Sequence, residues 1–181
     1  VLAACGDDSG AGGDAAGEAP ATTAAAPLPA TGAVVIDQVD PATITGNYAD
    51  GTDVAPGAVM AMGPLTVSVE GITAGASAPS EEGGTAGSVA VSLVVDNPSG
   101  DAMAGPDVYG ICVDDGRIGF LELGSEYESL AGLPPGGQLA GSALVRVPVD
   151  CADFIVQIRV LAVTPGGDHI ADVIVPPNAL P

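Results

Sequence analysis

The chemistry open to this chain is set by a short inventory: three Cys, three Met, one His and 23 acidic residues. Met60-Ala61-Met62 has a spacing that places two thioethers on one face of a strand. Soft sulfur suits copper(I), with His169 or Met103 as a third ligand, and the same pattern equally describes core methionine. His169 is the one histidine, so zinc-hydrolase, superoxide-dismutase-like and blue-copper sites all fall short of ligands. Beside Gly166-Gly167-Asp168 it reads as a solvated turn residue. Asn47, Asp50 and Asp53 share a loop around Gly51, and Asp114 with Asp115 form a second acidic tip. Neither has the alternating spacing and distant Glu that close a calcium loop, so both read as solvated turns or weak surface calcium sites.

Catalytic constellations are equally thin. A glycosidase pair of carboxylates needs a cleft with stacking aromatics, and the chain offers only Tyr48, Tyr109, Tyr127, Phe120 and Phe154. No Gly-x-Ser-x-Gly elbow frames a serine nucleophile. The expectation is a protein that is not an enzyme, with no catalytic residues and no cofactor. Nucleic acid is excluded on charge. The formal net charge is −20, there is no Lys, and Arg117, Arg146 and Arg159 are isolated in an acidic field.

The apolar-to-polar switch at Val1-Leu2-Ala3-Ala4-Cys5-Gly6-Asp7-Asp8 carries the most specific information. Leu2, two small residues and Cys5 resemble the lipobox of bacterial lipoproteins, in which the Cys receives diacylglyceryl before signal peptidase cuts ahead of it. The resemblance implies that residues 1–4 are the end of a signal peptide. It also implies that Cys5 is the lipidated N-terminus and that the protein is held extracytoplasmically at the cell membrane, at the cell surface. Two or more acyl chains anchor firmly where one is marginal. With Cys5 modified, Cys112 and Cys151 remain. An even count in an oxidising compartment predicts a disulfide between them, stabilising the fold by about 4 kcal/mol through closure of a long loop.

Residues 5–32 hold almost no large apolar side chain and no periodicity, so the lipidated Cys is expected to lead into a disordered Ala/Gly/Pro/Thr linker. About 27 flexible residues span roughly 30 Å and stretch to about 90 Å, enough to lift a domain from a membrane. Its Thr22, Thr23 and Thr31 among prolines resemble bacterial O-glycosylated linkers. Asp7, Asp8, Asp14 and Glu18 fall in the linker, which leaves 19 acids and 3 Arg on residues 33–181, a formal −16. That charge favours solubility and repels anionic headgroups and wall polymers.

From residue 33 the pattern changes to short apolar runs punctuated by Gly, Pro, Asp and Asn. Twenty-two Val and nine Ile against twelve Leu favour strands, since β-branched side chains fit a pleated surface. Strands are expected at Val34–Val39, Ala58–Met62, Leu65–Ile72, Ser88–Asp96, Val108–Val113, Ile118–Leu123, Gln138–Val147, Phe154–Leu161 and His169–Val175. Alternation at Leu65, Val67 and Val69, and at Val89, Val91, Leu93 and Val95, gives each of these strands one packed and one wet face. Asp114-Asp115-Gly116 reads as a hairpin turn. Short strands at this spacing indicate one all-β domain over 33–181, a two-sheet antiparallel sandwich.

The order of motifs is also informative. Leu65 to Ile72 is followed by the run Val89 to Pro98, which ends in Val95-Asp96-Asn97-Pro98. Val113-Asp114-Asp115-Gly116-Arg117 comes next, and Leu133-Pro134-Pro135-Gly136-Gly137 leads into Ala143 to Pro148. Together these resemble the immunoglobulin-like domain of unknown function common on bacterial lipoproteins, related in architecture to a mycobacterial secreted immunogenic protein. Phe120 stands where that family carries an aromatic after the hairpin, whereas the Lys-rich surface of many members is absent. The resemblance implies an immunoglobulin-like β-sandwich and a non-catalytic role in adhesion, binding or envelope interaction with an extracellular or envelope protein, and it assigns no reaction. The alternative function is an extracytoplasmic copper(I) carrier using Met60 and Met62.

Overall fold

A computed structural model of the chain describes residues 32–43, 49–79, 85–122, 125–128, 131–161 and 167–181. Among these there is no α-helix, and hence no helix long and apolar enough to cross a membrane. The strands in chain order are β1 (Val34–Ile36), β2 (Thr52–Val54), β3 (Val59–Met62), β4 (Leu65–Pro79), β5 (Thr85–Asp96) and β6 (Met103–Ala104). They continue with β7 (Asp107–Cys112), β8 (Ile118–Gly119), β9 (Gly132–Leu133), β10 (Gln138–Val147), β11 (Phe154–Val160) and β12 (His169–Ile174).

Two five-stranded sheets form a β-sandwich, ordered β1-β3-β4-β5-β10 and β2-β12-β11-β7-β8, with β6-β9 as a small third pair. The alternation read from the sequence is what joins them. Met60 and Met62, Leu65, Val67 and Val69, Val89 to Val95 at every second position, and Ala143, Val145 and Val147 line the inner face of the first sheet. Val54, Val108, Phe154, Val156, Ile158, Val160, Ala171 and Val173 line the second. A strand that carries apolar groups at every second residue can remove them from water only against another such face.

Two pairings are parallel, β1 with β3 and β2 with β12, where an all-antiparallel sandwich was expected. Both involve three-residue edge strands on long excursions between the sheets, so no hairpin constrains their direction. These excursions also lace the sandwich at both flanks. Ile36 pairs with Met62 in the first sheet, while Gln38 bridges His169 and the Val39 amide donates to the Asp168 carbonyl in the second. At the opposite flank β8 pairs with β7 in the second sheet. The chain then parts from β7: the Arg146 amide donates to the Phe120 carbonyl at 3.0 Å, and the Glu122 amide to Leu144 at 2.8 Å, in the first sheet.

Several boundaries differ from expectation. β4 runs to Pro79, and β5 begins at Thr85, because the hairpin arm is held by main-chain pairing across two register shifts. The strand expected over Ile118–Leu123 is only Ile118–Gly119, cut short by the crossing between sheets. The hairpin at Asp114-Asp115-Gly116 is present, with Gly116 at φ +71° and its amide bonded to the Cys112 carbonyl.

Candidate functional site

The outer face of the second sheet holds a run of polar side chains across three adjacent strands. Tyr109 of β7, Gln157 of β11 and Asp172 of β12 lie in register on three adjacent strands, and all three are buried. The Gln157 amide nitrogen donates to Asp172 Oδ1 at 2.6 Å and to the Ala49 carbonyl at 3.0 Å. Its oxygen accepts from the Tyr109 hydroxyl. Asp172 Oδ2 accepts from the Gly51 amide at 2.9 Å, so the segment entering β2 is fastened over this face. Burial pushes the Asp172 carboxyl above the ordinary range, and the nearby charges of Asp53 and Asp50 push the same way. Hydrogen bonds from Gln157 and Gly51 oppose the rise. Burial also raises the Tyr109 hydroxyl.

This chain ends at a cleft of about 410 Å³ on the same face, lined by Asp107, Val108, Tyr109, Ile118, Phe120, Leu121 and Arg159. It opens where the chain after β8 leaves β7 to join β10. The Arg159 guanidinium is held by Asp168, with Nε 2.7 Å from Oδ2. Burial opposes its charge, but bonding to Asp168 and Tyr109 outweighs that and raises it further. Phe120 forms the wall and is 65% exposed, although its main chain is bonded to β10. Tyr109, Tyr127 and Phe154, by contrast, are buried. The crossing itself depends on Gly119, where a Cβ would overlap the Arg146 carbonyl oxygen.

The residues singled out in the sequence distribute as follows. Cys112 and Cys151 form a disulfide with Cα atoms 5.7 Å apart, tying the end of β7 to the turn before β11. Met60 and Met62 share the inward face of β3 and are fully buried in the core cluster, and Met103 packs against it from β6. His169 is not a solvated turn residue. It opens β12, half-buried, with Nδ1 2.6 Å from the Ile36 carbonyl; since a carbonyl only accepts, Nδ1 carries the proton. It lines a groove of about 370 Å³ with Val35, Asp37, Gln38, Gly63 and Pro64, whereas the two Met side chains are enclosed in the core. Asp53 lies in β2 rather than in a loop with Asp50. Asp115 is bound by Arg117, whose main-chain amide and side chain both lower its pKa. No group of three or more His, Cys, Asp or Glu arranged to hold a metal occurs among the described residues. Cys5, Asn47, Tyr48 and the linker as far as residue 31 lie outside them.

Asn97, for which the sequence pattern suggests only a turn, is the hub of the loop cluster at one end. Its amide nitrogen donates to the carbonyls of Asp101, Leu133 and Pro134, and its oxygen accepts from Ser99. It thereby fixes the turn at Pro134-Pro135-Gly136-Gly137, whose Gly136 amide returns to the Asn97 carbonyl.

Two solved structures are similar to the chain. An uncharacterized β-sandwich protein from Clostridium difficile matches it at 11% identity and a TM-score of 0.44, covering 71% of this chain and 98% of that one. A conserved hypothetical protein from Bacillus anthracis matches at 13% identity and a TM-score of 0.42, covering 57% and 88%. No protein-family model and no curated protein matches the chain.

Proposed function

We propose that this chain is a lipid-anchored, extracytoplasmic bacterial lipoprotein whose β-sandwich, of the immunoglobulin-like kind, is a non-catalytic binding and envelope-interaction module. Phe120 carries the binding part of this reading. Fully burying a Phe side chain is worth about 2 kcal/mol, and this one forgoes most of that on a main chain held by hydrogen bonds. A rigid, exposed aromatic beside a cleft is the kind of anchor that concentrates binding energy in protein contacts. The Leu2-Ala3-Ala4-Cys5 switch supports the anchor, and the Cys112–Cys151 disulfide supports an oxidising compartment.

Fractionation of a bacterium that lipidates its exported proteins tests the anchor. The chain is expected in the membrane fraction carrying label from a radioactive fatty acid, and Cys5→Ser is expected to carry none. A labelled Cys5→Ser protein, or a soluble, unlabelled parent, contradicts the reading.

A further inference from the structure

We infer that the cleft beside Phe120 docks an extended, basic segment of a protein partner by taking up one bulky apolar side chain. This rests on the binding-module reading above and names the partner's chemistry.

Three features of the cleft converge on it. Its apolar wall is Ile118, Phe120 and Leu121. Asp107 and Arg159, also in the lining, are direct cross-strand partners, which sets an acceptor and a donor side by side. That is the pattern an extended main chain presents in reverse, an N–H towards Asp107 and a carbonyl towards Arg159. The site is held before any ligand arrives. Arg159 is fixed by Asp168, Tyr109 by Gln157, and the Phe120 main chain by Arg146, so little ordering remains to be done on binding.

Charge selects the partner. Asp168 offsets Arg159, which leaves Asp107 as the formal charge of the lining, within a domain of formal charge −16. Cationic segments are steered towards such a surface, whereas anionic polymers and a second copy of this chain are repelled.

The test uses the full 181-residue chain and three fluorescent nine-residue peptides at low salt: alternating Lys and Leu, alternating Glu and Leu, and alternating Lys and Ser. The Lys/Leu peptide is expected to bind saturably, at least about tenfold tighter than either other peptide, as loss of a central anchor implies. Phe120→Ser is expected to lose about tenfold in affinity while circular dichroism stays native, and Val35→Ser, at an exposed apolar residue outside the cleft, to lose nothing. Equal binding of the Lys/Ser peptide, equal binding of the Glu/Leu peptide, no binding at all, or a natively folded Phe120→Ser protein with unchanged affinity each overturns the inference. A concentration-dependent dimer abolished by Phe120→Ser also overturns it, by giving the cleft to a second copy. None of these outcomes touches the anchoring of Cys5, so a failure here is distinguishable from a failure of the lipoprotein reading.

Discussion

Gln157 and Asp172 stand opposite one another on β11 and β12, and the glutamine amide donates to the carboxylate across 2.6 Å beneath the segment that leads into β2. The same glutamine receives the Tyr109 hydroxyl at the floor of the cleft. One buried amide thus couples the covering segment to the face that carries the cleft.

Stability is expected to depend on pH through Asp172. Its folded pKa is raised above the ordinary 3.8, chiefly by burial, so between the two values the folded state holds more protons than the unfolded one. Stability contributed by this group therefore falls as pH rises through that window. Urea denaturation of the parent and of Asp172→Asn across acidic pH isolates the effect. The parent is expected to gain stability relative to the variant as pH is lowered, and a relative loss contradicts a raised pKa.

Removing the disulfide with Cys112→Ala/Cys151→Ala is expected to cost about 4 kcal/mol, the entropy of a loop closed over 39 residues. Chemical denaturation with and without reductant checks this. The reduced parent is expected to match the double variant, and a parent indifferent to reductant contradicts the prediction.

Gly119→Ala is expected to cost about 3 kcal/mol, because its methyl overlaps the Arg146 carbonyl where the chain passes between sheets. Hydrogen exchange is expected to quicken at the Arg146 and Glu122 amides, which bond across that crossing. Unchanged protection there contradicts the crossing.

Asn97→Ala is expected to destabilise by about 2 kcal/mol, since it removes a buried amide that donates to three carbonyls, of which Pro134 keeps the Gly137 amide and Asp101 the Ser99 hydroxyl. Thermal unfolding measures it. A neutral effect would mean that the Pro134–Gly137 turn holds without its hub.

The sheet core was legible wherever side chains alternate. β10 occupies the range expected from its pattern, Gln138–Val147, and the inward residues of β4 and β5 are those whose alternation stood out. β2 was hidden because three residues, of which only Val54 is buried, carry no periodicity. The arm of β4 beyond Ile72 was hidden because its Thr, Ala, Gly and Ser residues have no apolar rhythm, and partner pairing alone makes it a strand. Of the site, one signal was available: Gln157 and Arg159 interrupt the otherwise apolar run Phe154–Val160, and polar residues inside such a run mark hydrogen bonds formed away from water. The cleft had no signature in the sequence. It exists because the chain after Gly119 changes sheets, and the two strands it joins are separated from it by quite different stretches of chain.

Anchoring of the sandwich domain through Cys5 is read by intact-mass analysis after expression in lipidating cells behind a complete lipoprotein signal peptide. The expected product is a mature chain beginning at Cys5, heavier by a diacylglyceryl group and free of Val1 to Ala4. A chain that retains those residues, with an unmodified Cys5 thiol, contradicts it.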